Sequence, residues 1–250
     1  MRNDWIYRRE HSSAAFRLFC FPYAGGSAAV YRGWQEQFPD RIEVCAVEPP
    51  GRRHRTPEEP LRRLPDLAAA VVAGLAAEAD LPFAFFGHSL GALVAFDVAQ
   101  RLSGGGHPGP RVLFLSGAAA PHLPRRRRTL WNLPPAELIS EVRAYGGTPP
   151  DVLDDPAFLE IFLPVIRADF EMFETYTFEA DTRLDSPVYL YGGEDDERVS
   201  AARLWAWRDV ADVVAVEMFS GGHFYLREQY RPLTASIGRV LDGLLSPVGA

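Results

Sequence analysis

Residues 83–96 read FAFFGHSLGALVAF, a short aromatic run, a Gly-x-Ser-x-Gly pentapeptide and an apolar helix pattern joined end to end. A serine carried on a sharp strand-to-helix turn has its hydroxyl lifted above a sheet, and the flanking glycines are needed because side chains there would collide. The pentapeptide alone is weak evidence. With Gly and Ser each near 7% of residues, it arises by chance in roughly one of ten chains of this length. Its setting is the stronger signal: four predominantly aromatic residues lead in, and residues 90–102 hold no proline and a single glycine, Gly91, in the first turn. Ser89 is therefore a candidate nucleophile, and a layered α/β framework is needed to present it.

A serine hydroxyl is a weak nucleophile until a base takes its proton, and the base needs a carboxylate to orient it. On this framework both follow the serine, each at the end of a later strand. Residues 186–191, SPVYLY, read as a strand delivering Gly192 through Val199, and residues 213–219, VVAVEMF, as one delivering Ser220-Gly221-Gly222-His223-Phe224. His223 is the candidate base. His11, His54, His107 and His122 lie in charged or Pro/Gly-rich segments and are expected in solvent, while His88 is expected to line the pocket. For the acid, Gly193, Asp196 and Val199 meet a Gly-x-x-Asp-x-x-Val spacing; Asp195 meets the frame of Gly192 only with Arg198 in the valine's place. Asp196 is preferred and Asp195 stays open. The strand at 112–115 is followed by no carboxylate through residue 121.

Hydrolysis also needs donors aimed at the developing oxyanion. One is the backbone N–H after the nucleophile, here that of Leu90; the second usually comes from a glycine-rich loop after an early strand. The apolar run at 16–21 leads into Pro22-Tyr23-Ala24-Gly25-Gly26-Ser27, which makes Ala24 the candidate.

Strands at about 5–8, 16–21, 42–47, 83–87, 112–116, 187–191 and 213–219 alternate with helices near 29–38, 66–79, 90–102, 200–209 and 225–245. Such alternation implies a mostly parallel sheet covered on both faces. With 250 residues, 47% of them hydrophobic, one domain over 1–250 is expected, its core at about 1–120 and 185–250 and a helical lid insertion at about 121–184. In that insertion Asp155 can cap a helix with Pro156 at its first position, Phe158, Phe162, Ile166, Phe170 and Phe173 form a stripe, and Pro164 should kink the helix. Leu159, Ile161, Leu163, Val165 and Met172 widen the apolar surface, so a second face is expected to line a channel over Ser89.

Composition narrows the partners. The net charge of −7 argues against nucleic acid, although residues 125–128 are four consecutive arginines. No apolar stretch approaches the roughly 18 residues of a membrane span, and residues 1–5 lack the apolar core of a signal peptide. Cys20 and Cys45 fall in strands as buried thiols, which fits a reducing cytoplasm. No Cys/His grouping has metal-ligand spacing, so neither metal nor cofactor is expected.

Phe21-Pro22-Tyr23-Ala24-Gly25-Gly26, Pro50-Gly51-Arg52-x-x-Arg55, Gly87-His88-Ser89-Leu90-Gly91-Ala92, Leu163-Pro164-Val165-Ile166-Arg167-Ala168-Asp169-Phe170 and Gly221-Gly222-His223-Phe224, in this order, resemble the type II thioesterases. These are free-standing α/β-hydrolases that accompany polyketide synthases and nonribosomal peptide synthetases and clear wrong acyl groups from carrier domains. The resemblance runs from about residue 16 to 230. It departs where Leu90 replaces the family's usual methionine and where Glu197, not proline, follows Asp196. It implies an α/β-hydrolase fold, a Ser89–His223–Asp196 triad acting through an acyl-enzyme, an acyl or peptidyl carrier protein as partner, and a monomer. Residues 125–128 then become a candidate landing for an acidic carrier. A carboxylesterase or lipase and a chain-releasing thioesterase share the same residues, and a non-catalytic interaction protein on this scaffold is the alternative of another class.

Overall fold

Four strands of the chain have no polar face. β2 (Phe16–Phe21), β3 (Ile42–Val47), β4 (Phe83–His88) and β5 (Leu113–Ser116) are buried at every position, as strands of a parallel sheet covered on both sides must be. Alternate residues still divide between two cores. Phe19, Phe21, Phe83 and Phe85 share one with α1 (Leu64–Leu75) and α2 (Leu90–Gly104). Leu18, Cys20, Ala84 and Phe86 share the other with Leu233, Ile237 and Leu241 of α7 (Tyr230–Leu245). The computed structural model describes residues 3–9, 11–76, 78–124, 129–179 and 184–246, so the arginines at 125–128 lie outside the described residues.

The sheet has seven strands in the order β1-β3-β2-β4-β5-β6-β7, completed by β1 (Ile6–Arg8), β6 (Leu184–Gly193) and β7 (Ala211–Phe219). Only β1 is antiparallel, paired to β3; the rest run parallel. This is the expected fold class. Because β2 has β3 on one side and β4 on the other, the chain leaves the carboxyl ends of β2 and β4 in different directions, and a crevice opens there.

Between β5 and β6 lie α3 (Pro135–Tyr145), α4 (Pro150–Leu153) and α5 (Pro156–Thr175), within the insertion read from the sequence. Asp155 caps α5 by accepting the Ala157 N–H at 2.9 Å, Pro156 opens the helix, and the helix continues through Pro164. Three of the expected helices are shorter or broken. The segment 29–38 is two 3₁₀ turns, Ala28–Tyr31 and Gln35–Gln37, because Arg32 is extended and Gly33 takes φ +84°, which ends the first turn. Likewise 200–209 is α6 (Ala201–Trp205) followed by a 3₁₀ turn, and a 3₁₀ turn at Tyr225–Arg227 precedes α7.

Candidate active site

Ser89 stands between β4 and α2 with φ +55° and ψ −118°, a conformation that costs a non-glycine residue on the order of 1–3 kcal/mol. Packing around it forces the turn. A methyl group on Gly87 would lie 2.2 Å from the Gly91 carbonyl oxygen, and one on Gly91 would lie 2.2 Å from the Phe21 carbonyl oxygen of β2. Both glycines are thus demanded by backbone approach, and the second approach seats the elbow against the strand that carries the Tyr23–Gly26 loop.

β6 and β7 deliver the partners. His223 Nε2 lies 3.1 Å from Ser89 Oγ, and His223 Nδ1 lies 2.7 Å from Asp196 Oδ2. The other carboxylate oxygen, Oδ1, accepts the amides of Arg198 at 2.8 Å and Val199 at 3.2 Å. Burial opposes ionisation of Asp196, yet the bond to His223 and these two amides outweigh it and hold its pKa below the ordinary carboxylate value. Asp195 is exposed and points its backbone N–H at Gly221 O, 3.0 Å away, so the structure joins Asp196 rather than Asp195 to His223. Gly193 belongs to the same arrangement: a methyl there would be 2.4 Å from Gly222 O, in the loop that carries His223.

His88 does not line the cavity. It is completely buried beneath the elbow, where Nδ1 lies 2.8 Å from Ser116 Oγ and that hydroxyl lies 2.7 Å from the Tyr225 hydroxyl. Burial, reinforced by the neighbouring His223, pushes the His88 pKa well below its ordinary value and keeps the ring neutral. The elbow turns consecutive side chains to different sides, and the sequence could not say which side faced the crevice.

Ala24 and Leu90 both line the cavity over Ser89, and among the described residues neither amide is committed to another acceptor. The loop bearing Ala24 is held by Arg52 and Asp169, neither of which the sequence marks with a role. Asp169, on α5, accepts the Gly25 N–H at 2.7 Å and pairs with Arg52. Arg52 also donates to Gly26 O at 2.8 Å and to Pro50 O at 2.7 Å. One signal was present: a carboxylate between Ala168 and Phe170 on an apolar helix must find a partner if it is buried.

The cavity over Ser89 holds about 530 Å³. Its apolar wall includes Leu93, Leu130, Val142, Phe162, Phe170 and Phe173. From α5 it is the Phe162-Ile166-Phe170-Phe173 stripe that faces the cavity, correcting the expectation that the second face would. Met172 joins the sheet core, Val165 is buried away from the cavity, and Ile161 is 53% exposed. Glu174, at the end of this wall, accepts the Leu130 amide at 2.8 Å; burial raises its pKa, and backbone donors from Leu130 and Trp131 oppose the rise.

The model of the thioesterase domain matches residues 16–241. The gramicidin S biosynthesis protein GrsT of Aneurinibacillus migulanus is 36% identical over 247 residues, covering 98% of this chain and 96% of that protein. Thioesterase PikA5 of Streptomyces venezuelae is 35% identical over 252 residues, covering 98% and 87%. The solved structure of the type II thioesterase BorB from the borrelidin biosynthetic cluster superposes with a TM-score of 0.86 at 34% identity, covering 94% of this chain and 96% of that one. The chain belongs to the thioesterase domain family, and type II thioesterases of biosynthetic clusters are among its relatives.

Proposed function

We propose that this chain hydrolyses acyl groups from the pantetheine thiol of carrier proteins, clearing and regenerating a polyketide or nonribosomal peptide synthase. The observation that carries the reading is the hydrogen-bonded line from Ser89 through His223 to Asp196 at the base of a largely apolar cavity. The relatives named for gramicidin S and borrelidin biosynthesis support the setting.

In this reading His223 Nε2 takes the proton of Ser89 as Oγ attacks the thioester carbonyl, and the amides of Leu90 and Ala24 receive the negative charge that forms on the oxygen. The protonated imidazole gives its proton to the departing thiol. His223 then deprotonates a water that attacks the acyl-enzyme, and the acid is released. Asp196 fixes the ring with Nδ1–H facing it and stabilises the cationic form. The same reading makes the chain a cytoplasmic monomer that needs no metal or cofactor.

The test is a comparison of one acyl group presented on a carrier protein, on coenzyme A and as a p-nitrophenyl ester. The carrier-bound thioester is expected to have the highest kcat/KM. Faster turnover of the oxygen ester, with indifference to the carrier, would assign the chain to the carboxylesterases instead.

A further inference from the structure

A thioester has two arms, and a site that cleaves it must house both. The cavity over Ser89 takes one of them. A second groove of about 570 Å³ adjoins it, sharing Tyr23, Gly147, Thr148 and Phe162 with it as a common wall. This groove forms where four segments meet: the loop and turn after β2, the loop between α3 and α4, the first turns of α5, and the turn after His223. The loop between α3 and α4 is pressed against that turn, since a methyl on Gly147 would lie 2.4 Å from Phe224 Cζ.

The two spaces differ in charge. The lining of the Ser89 cavity includes Glu141, Glu174 and Glu197 beside Arg198 and Arg203. The groove lining includes Arg32 and Arg227 and no carboxylate. Both arginines are exposed, and among the described residues neither is paired with a carboxylate. Arg227 reaches only the carbonyls of Gly146 and Gly147, each at 3.4 Å. Burial pushes the Tyr23 hydroxyl pKa up and the charge of Arg227 pulls against it, so this guanidinium acts on a residue that also walls the Ser89 cavity. On a chain of net charge −7, a groove with two uncompensated cations is a place for an anion.

We propose that this groove receives the pantetheine arm of the carrier protein and that Arg32 and Arg227 bind its phosphodiester, leaving the acyl arm to the cavity under α5. The inference rests on the thioesterase reading above and adds which arm goes where. Guanidinium groups suit the role because they offer several donors in a fixed fork to phosphate oxygens. Apolar groove residues such as Trp34, Val152 and Phe158 would cover the uncharged stretch of the arm.

The experiment uses one acyl group on three supports: carrier protein, phosphopantetheine and dephosphorylated pantetheine. The ratio of kcat/KM with phosphate to kcat/KM without it is expected to fall about tenfold in Arg32→Gln or Arg227→Gln, and further in the double variant, as charge-assisted hydrogen bonds are lost. Arg32→Lys should retain part of the ratio. As a second readout, Ser89→Ala protein should bind pantetheinylated carrier more tightly than unmodified carrier, and Arg32→Gln with Arg227→Gln should abolish that preference. An unchanged ratio would overturn the proposal, whether neither substrate is affected or both lose equally because the arginines only shape the groove. A wild-type chain that cleaves oxygen esters but neither pantetheine thioester would instead overturn the thioesterase reading, and the groove assignment with it.

Discussion

Asp169→Ala tests whether α5 controls the chemistry at Ser89. The Asp169 carboxylate is 2% exposed, takes the Gly25 N–H at 2.7 Å and pairs with Arg52. Its removal leaves the buried Arg52 guanidinium without its carboxylate and the half-buried Gly25 amide without its acceptor, and breaking a buried pair from one side costs about 3–5 kcal/mol. For a chain of this size each kcal/mol moves the melting temperature by about 2–4 °C, so a drop of roughly 6–20 °C is expected. The kinetic effect enters through Gly25, the neighbour of Ala24. Outright loss of one oxyanion donor costs about 10²–10³-fold in kcat. Asp169 acts on that donor at one remove, so kcat should fall by about tenfold or more up to that ceiling, while KM for a small thioester changes little.

Stability and catalysis can be separated by replacing both partners. Exchanging a buried ion pair for apolar residues of similar volume is often neutral or stabilising. Arg52→Met combined with Asp169→Leu is therefore expected to melt near the wild-type temperature yet keep the low kcat, because the Gly25 amide has lost its acceptor. Asp169→Asn, whose carbonyl oxygen can still accept from Gly25, should lie between. Thermal melting beside kcat and KM for an N-acetylcysteamine thioester reads all three. Recovery of both melting temperature and kcat in the double variant would refute the argument, leaving the pair a structural tie.

Ser89→Ala should lower turnover by about six orders of magnitude with the fold retained; mass spectrometry after a serine-reactive phosphonate should find the label on Ser89 of the wild-type chain and none on the variant. Asp196→Asn should cost on the order of ten-thousand-fold in kcat, whereas Asp195→Asn, on an exposed side chain, should cost little; comparable losses would reject the assignment of the acid. Because the folded pKa of Asp196 is depressed, the stability it contributes is complete above the ordinary carboxylate value of about 3.9 and is lost as pH falls through the folded value. Denaturant melts from pH 3 to 7 should therefore show a shallower acid limb in Asp196→Asn. His88 is buried neutral with a depressed pKa, so its contribution is present above about 6.5 and declines below it; His88→Asn should make the stability curve one proton shallower there.

What could be read from the sequence and what could not divides by the range of the interaction. The elbow was legible because its constraints are local: the close approaches at Gly87 and Gly91 exclude any side chain, and the chain records this as two glycines around Ser89. Asp196 was legible for the same reason, since the amides of Arg198 and Val199 that bind it lie two and three residues on. The segment 29–38 failed because its apolar spacing suits a helix, while Gly33 in the left-handed region ends the turn. The face of α5 was misread for a different reason. Its period correctly identified a stripe, but a period does not say what lies opposite, and Phe162, Ile166, Phe170 and Phe173 of that stripe, not the second face, line the cavity. Arg52 and Asp169 are 117 residues apart, and nothing local to either required the other. Yet their pairing ties the cavity wall to the loop after β2: on α5, Phe162, Ile166, Phe170 and Phe173 face the cavity while Asp169 holds the loop of Ala24 through Gly25. An acyl chain that packs well on that face will steady the helix carrying Asp169, so acyl preference should register in kcat as well as in KM.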